Sequence, residues 1–330
     1  MPDLIKAQIQ RYPFLRNYFR QTKDNRVEPS GKKPTGPAGN RSRPEPVGLR
    51  QNAPVSLPQN ATAIEAKYEV HFTAFVDFLG FSEASAELDD QTRLAVLELL
   101  KALASLRSEF SAETIELPNG ASTYKINPAV STFSDNIVIS YPLQSVSSRF
   151  GNERLTKLTI LYQFHRLLST IACDAVRIGF LIRGGATIGK LYHANGVIFG
   201  EALTEAADLE RRTAIYPRVV LSSKITLNQD WASEGLFIRK DDDGIYQLDY
   251  ISRMLFYSAL PGDSWNANAK AWFESVVANV SANLTNLHRQ GKLNELAKWT
   301  WFAKRFRSGL EGLGAAVTGA GISLDGLSSW

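Results

Sequence analysis

Tyr68-Glu-Val-His-Phe-Thr-Ala-Phe-Val-Asp-Phe-Leu-Gly-Phe-Ser82 is the stretch on which the fold turns. Aromatic and β-branched residues dominate it, so it reads as a strand, and Gly80 ends it. Asp77 therefore falls at a strand end, where a carboxylate points out of the sheet instead of into the core. A second stretch, Thr132-Phe-Ser-Asp-Asn-Ile137, places Asp135 in a Ser134-Asp135-Asn136 turn. Two such carboxylates on neighbouring strands suit divalent cations held against a triphosphate. The pair points to nucleotide chemistry.

Working outward, Asp89 and Asp90 lead into a helix in which Val96, Leu99, Leu100, Leu103 and Leu106 recur at helical spacing. Residues 121–141 read as a hairpin, and Leu155, Leu158, Leu161, Leu168 and Ala172 mark a second helix from about 152 to 176. A strand over 178–189 follows, then a turn at Asn195-Gly196, a helix over 201–213 and a strand over 218–222. Residues 235–250 read as a hairpin around Asp241-Asp-Asp-Gly244, and helices near 264–288 and 293–308 close the chain. This order predicts an α/β (α+β) fold with a ferredoxin-like βαββαβ core. Its sheet is mixed and mostly antiparallel, with helices on one face, and the C-terminal helices are added to it. In that topology the hairpin turn lies beside the end of the first strand, which brings Asp135 to Asp77.

Four segments are expected: an N-terminal helical segment (1–20), a Pro/Gly-rich basic linker (21–65), a catalytic domain (66–255) and a C-terminal helical extension (256–330). Seven of the 14 prolines fall between Pro29 and Pro58, as in an extended linker. Residues 1–52 carry a net charge of +7 within a chain total of +4, so the remaining body is mildly acidic at −3. The basicity belongs to a solvated tail, and no nucleic-acid role is expected. No apolar run approaches the roughly 20 residues of a membrane span. The first 20 residues also lack the apolar stretch of a secretory signal. With a single cysteine, Cys173, in an apolar helical pattern, a reducing cytoplasmic location is expected. His71, His165, His193 and His288 show no metal-ligand spacing and read as structural or surface residues.

Phe75-Val-Asp-Phe-Leu-Gly-Phe-Ser82 resembles the first metal-binding motif of the class III nucleotidyl cyclases, and Phe133-Ser-Asp135 resembles their second. Ile182-Arg-Gly-Gly-Ala-Thr-Ile-Gly189, Ile198-Phe-Gly-Glu-Ala-Leu-Thr-Glu-Ala-Ala207 and Val219-Val-Leu-Ser222 are similar to the elements that complete the site. The likeness covers roughly residues 66–250. The purine enzymes read the base with a lysine and an aspartate or cysteine, at positions held here by Ser131 and Val197. The Asn and Arg that orient ribose and steady the transition state are replaced by Thr204 and Asp208. With these changes, the linker and Lys298-Trp-Thr-Trp-Phe302, the chain most resembles the bacterial Pycsar pyrimidine cyclases. That resemblance implies UTP or CTP as substrate, a 3′,5′-cyclic monophosphate as product and a homodimer with composite sites. It also implies a separate cyclic-nucleotide-sensing effector protein and a role in anti-phage defence.

The resemblance implies two divalent cations, Mn²⁺ or Mg²⁺, on Asp77, Asp135 and the Phe78 carbonyl. The backbone of Leu79, Gly80, Phe81 and Ser82 would meet the triphosphate, with Ser131, Ser134, Val197 and Thr204 completing the substrate site. Taken singly, Asp77 also suits a helix cap and Asp135 a turn. Together, in this order and with the glycine motif behind them, they read as metal ligands. An acidic Asp208 cannot replace the missing arginine, so Arg183 and Arg212 are the expected catalytic cations. UTP is preferred to CTP by a narrow margin. The alternatives are a cytidylate cyclase, a purine cyclase that reads its base through other residues, and a cyclase-like sensor that binds nucleotide without turnover.

Overall fold

A computed structural model describes residues 68–81, 89–105, 111–116, 122–150, 153–227, 237–251, 267–311 and 327, and the stretch quoted first forms strand β1 (Glu69–Leu79). Phe72, Ala74, Val76 and Phe78 alternate along it and are buried toward one face, as a period of two requires. Helix α1 (Asp90–Ser105) follows, capped by Asp89, whose carboxylate accepts from the Thr92 amide at 2.9 Å. A hairpin of β2 (Ser111–Glu116) and β3 (Ser122–Asn127) comes next, then β4 (Ala129–Phe133) and β5 (Asn136–Pro142). After the short α2 (Leu143–Phe150) runs α3 (Glu153–Arg177). Ile160, Leu161, Phe164, Leu168, Ile171 and Ala175 of α3 are buried at helical spacing, and Phe164 meets Phe72 edge-on at 5.0 Å.

The third long segment is β6 (Leu181–Ala194), which turns at Asn195-Gly196 into β7 (Val197–Phe199) and enters α4 (Glu201–Thr213). Then follow β8 (Val219–Leu221), a four-residue α5 (Ser223–Thr226) and the hairpin β9 (Ile238–Lys240) and β10 (Tyr246–Leu248). Helices α6 (Ala267–Gln290) and α7 (Leu293–Glu311) end the described elements. The main sheet runs β4-β5-β1-β6-β8-β10-β9. Every pair in it is antiparallel except β6 with β8, which α4 joins by a crossover. The first four strands have the order and directions of a βαββαβ ferredoxin-like core.

The arrangement differs from the expectation in four places. The hairpin β2–β3 and the helix α2 were not foreseen, and β6 begins and ends later than residues 178–189. Helices also cover both faces of the sheet. Helix α3 lies on the Phe72 face, whereas α4 lies on the face of Asp77 and Arg183. The reason is the bare backbone of β6: a Cβ at Gly185 would collide with the main chain of Ala206 and Glu210, so only glycine admits α4 at this distance. Helix α6 docks on α3, the Asn279 amide donating to the Arg177 carbonyl at 2.9 Å and so satisfying the end of α3. Phe306 of α7 stacks on Phe273 of α6 at 6.3 Å, and Trp299, Phe302 and Phe306 are buried.

All the described residues fall in one unit, 64–330. The N-terminal segment 1–20, the linker 21–65 and Ser82 lie outside the described residues. No helix among the described residues is long and apolar enough to cross a membrane.

Candidate active site

Asp77 stands directly opposite Asn136 on one side and Arg183 on the other. The two-residue turn Ser134-Asp135 joins β4 to β5, with Ser134 at φ 56°, the positive value a tight hairpin needs at its first position. The Phe78 amide donates to the Asp135 carbonyl at 3.1 Å, which ties that turn to the end of β1. Asp77 and Asp135 are thus neighbours, as the topology predicted. Gly80 follows with φ 84° and open space around its α-carbon, so the chain turns there without a side chain over the site.

Arg183 is held between two carboxylates. Its Nε donates to Asp77 Oδ2 at 3.1 Å, and its Nη2 lies 2.6 Å from Glu210 Oε1. Its Nη1 reaches the Ala214 carbonyl at 3.5 Å. The Glu210 contact is an ion pair without hydrogen-bond alignment, because Oε1 is buried and otherwise unsatisfied. Burial pushes the Asp77 carboxyl above its ordinary range, and neighbouring Asp135 adds to this, while Arg183 and Lys298 pull it down. Glu210 is raised for the same reason, with Asp77 and Asp135 adding and Arg183 and Arg211 opposing. Three acidic side chains therefore share a region where Arg183 and Lys298 are the opposing cations at Asp77.

Glu210 and Lys298 did not stand out in the sequence. Glu210 had a usable signal, since Ala202, Ala206 and Glu210 repeat every four residues on the buried face of α4. A carboxylate on a small-residue face packed against glycines is positioned for a site. Lys298 gave none, because its nearness to Asp77 is a product of how α7 docks.

Thr204, Asp208 and Arg212 line a separate open groove of about 580 Å³ along α4. There Asp208 is met by Arg211 at 2.7 Å and by Arg212 at 3.7 Å, so its charge is opposed by two guanidinium groups. The residue that α4 sends to Asp77 is Glu210. Val197, on β7, is half-exposed at 51%. Within one chain, then, Asp77, Asp135 and Arg183 come together, while Thr204 and Arg212 occupy the groove.

Ser131 lies on the Asp77 face: it stands opposite Val138, which stands opposite Phe75. Its hydroxyl shares a 2.8 Å hydrogen bond with His193 Nε2. Burial lowers His193 to about 4; burial, then the neighbouring His193, lowers His71 to about 3. Both imidazoles are neutral at pH 7. The unfolded chain titrates these groups near 6.5, so between about 6.5 and 4 it binds protons that the fold refuses. Their contribution is full above pH 6.5 and is lost as pH falls through that window. Melting curves at pH 7.5 and pH 5 are expected to show a lower Tm at pH 5, with a narrower gap in His71→Asn. An equal gap in the variant would assign the acid sensitivity to other groups.

Among the described residues, no three His, Cys, Asp or Glu side chains form a ready metal cage. Asp77 and Asp135 nevertheless fit a hard cation. Their donors are oxygens, Asp77 is a half-buried carboxylate that burial raises despite its pairing with Arg183, and Mg²⁺ sites characteristically use one or two carboxylates with substrate phosphates completing the shell.

No family model and no curated protein matches the chain. Among solved structures it is similar to an adenylate/guanylate cyclase/hydrolase from Silicibacter pomeroyi, at 17% identity over 55% of this chain and 94% of that one, with a TM-score of 0.29. It is also similar to a bacterial light-regulated adenylyl cyclase, at 15% identity over 55% and 91% of the two chains, again with a TM-score of 0.29. Likeness at this level assigns neither substrate nor reaction.

Proposed function

We propose that this chain is a class III type nucleotidyl cyclase that converts a pyrimidine nucleoside triphosphate, UTP before CTP, to its 3′,5′-cyclic monophosphate and pyrophosphate. The observation that carries this is the meeting of Asp77 and Asp135 at adjacent strand ends, on the sheet face that also bears Ser131. The ribose 3′-oxygen attacks the α-phosphorus, the bond to the β-phosphate oxygen breaks in line, and the hydroxyl proton leaves to solvent. Such a reaction asks the protein for positioning and charge neutralisation. Two divalent cations on Asp77, Asp135 and the Phe78 carbonyl would acidify the 3′-hydroxyl and neutralise the phosphates when bound.

Arg183 fixes the Asp77 carboxylate against Glu210, and the bare turn at Gly80 admits the triphosphate to main-chain N–H groups. Thr204 and Arg212 serve the ribose and the transition-state charge from a second copy of the chain, in a homodimer with composite sites. Val197 faces the base in the same arrangement. The groove that holds Thr204 and Arg212 apart from Asp77 within one chain supports that division. The product acts as a second messenger for a separate effector protein in anti-phage defence.

Incubation with each of ATP, GTP, CTP and UTP plus Mn²⁺, with the products identified by mass, is expected to give cyclic UMP and pyrophosphate, and EDTA to abolish both. Cyclic AMP or GMP as the main product would overturn the pyrimidine reading. A second reading, a sensor that binds nucleotide without turnover, is favoured by the engagement of Arg183 with two carboxylates and by the acid at position 208. Tight nucleotide binding with no pyrophosphate release would select it.

A further inference from the structure

Four polar side chains on the Asp77 face form a continuous chain that the phosphoryl-transfer chemistry leaves unused. His71 Nδ1 lies 3.1 Å from Ser140 Oγ, Ser140 Oγ 2.8 Å from His193 Nδ1, and His193 Nε2 2.8 Å from Ser131 Oγ. His71, Ser140 and His193 are buried, and Ser131 at the outer end is half-buried. Thr73, directly opposite Ser140, makes no hydrogen bond through its hydroxyl, so it does not compete for the Ser140 proton.

A neutral imidazole has one donor and one acceptor nitrogen, and a serine hydroxyl has one proton. The chain therefore runs in a single direction, and the direction of one bond fixes the rest. Hydroxyl donors tend to make the shorter bonds and ring N–H donors the longer ones, and the two bonds at Ser140 differ, 3.1 Å to His71 and 2.8 Å to His193. That asymmetry at Ser140 is what the inferred direction rests on: a His71 ring N–H donating to Ser140. In that direction Ser140 gives its only proton to His193 Nδ1, and His193 carries its proton on Nε2 and donates to Ser131, whose 2.8 Å contact is compatible with either donor. Ser131 accepts from behind, which leaves its own proton directed outward. Burial keeps both imidazoles neutral, so neither gains the second proton that would erase the direction.

We propose that this relay makes Ser131 a fixed donor toward the base and His193 a positioning residue that selects a carbonyl acceptor, as on uracil, over an amino group, as on cytosine. The proposal rests on the pyrimidine cyclase reading for the identity of the ligand. A relay running the opposite way would present only lone pairs at Ser131 and would suit cytosine.

The tautomers are measured directly on the unmodified full-length protein by ¹⁵N-histidine NMR, which four histidines make assignable. A proton on His193 Nε2 and on His71 Nδ1 is expected, and the reverse pair overturns the proposal. In kinetics, His193→Asn keeps a polar group near Ser140 and withdraws the one on Ser131. It is expected to cut the UTP over CTP preference roughly tenfold, the value of one hydrogen bond, through KM and not kcat. His193→Gln, which returns an amide toward Ser131, is expected to restore most of that preference. Ser131→Ala should match His193→Asn, and combining the two should add nothing further. An unchanged preference in His193→Asn, or additive losses in the pair, overturns the relay. If the parent protein cyclises no nucleotide, the functional reading fails on its own. The relay is then judged by calorimetric binding of UTP against CTP, and equal affinities overturn it. Should the His193 variants fail to fold, the spectra and the Ser131→Ala preference decide.

Discussion

Asp77→Ala and Asp135→Ala are each expected to lower cyclic-nucleotide formation at least about a thousandfold, equivalent to ~4 kcal/mol of transition-state stabilisation, while the protein stays folded. The activity loss follows from removing one of the two carboxylates available to cations at the end of β1. The stability expectation follows from the sign of the Asp77 shift. Burial raises its carboxyl, so as pH rises the unfolded chain releases this proton before the folded one does. Ionised Asp77 is therefore a net cost to the fold at neutral pH. Removing it costs Arg183 one partner but leaves Glu210 at 2.6 Å. The Tm of Asp77→Ala is accordingly expected to equal or exceed that of the parent. Product formation by both variants at the parental rate would remove the two-carboxylate mechanism. A large fall in Tm would recast Asp77 as a structural residue.

The second large effect is expected at Arg218. This side chain is 2% exposed, donating from Nη1 to Asp241 at 2.9 Å and from Nη2 to Asp243 at 2.6 Å. Arg305 of α7 pairs with the second oxygen of Asp241. Arg218→Ala would strand the buried Asp241 with a single cation, a change that typically costs about 3–5 kcal/mol. At about 2–4 °C per kcal/mol for a domain of this size, Tm should fall by roughly 6–20 °C. Arg218→Met combined with Asp241→Asn should lose less than the sum of the two single changes, because neither charge is then left alone. A loss below about 1 kcal/mol would mean that water reaches the cluster. The effect should extend to activity. The Arg218 carbonyl accepts from the Gly184 amide at 2.9 Å, beside Arg183, and Tyr250 brings its hydroxyl within 2.9 Å of the Ile182 carbonyl and 2.8 Å of the Pro217 carbonyl. The ion cluster thus adjoins the strand that carries Arg183.

The ferredoxin-like order was legible because its signals are local. Period-two burial in Phe72, Ala74, Val76 and Phe78, helical periodicity in residues 153–177, and Asn195-Gly196 before Glu201–Thr213 each act over a few residues. Asp77 and Asp135 were legible for a related reason, since strand ends and a two-residue turn are readable and topology does the rest. The partners of Arg183 were not. Its attachment to Glu210 depends on how closely α4 approaches β6, a tertiary distance set by missing side chains at Gly185 and Gly189. His71 and His193 were read as structural residues or surface positions without a partner in view. Residues separated by 122 positions share one hydrogen-bonded chain through Ser140 only because β1, β5 and β6 are neighbours. Helix α2 and the β2–β3 hairpin were missed because their elements are short, eight residues in the helix and six in each strand.

The contact between α4 and the bare backbone of β6 also has a mechanical meaning. With no side chains at Gly185 and Gly189 to compress, the helix rests against a hard stop in the direction normal to the sheet. Along the sheet the restraint is different in kind: the Glu201 carboxylate accepts from the Lys190 amide at 3.0 Å, and Glu210 pairs with Arg183. The helix is stopped by backbone in one direction and held by carboxylates in the other. A shift of the helix along the sheet would pull Glu210 against Arg183. Displacement of one helix would then be felt at the carboxylates as a change in charge balance, with the width of the site unaltered.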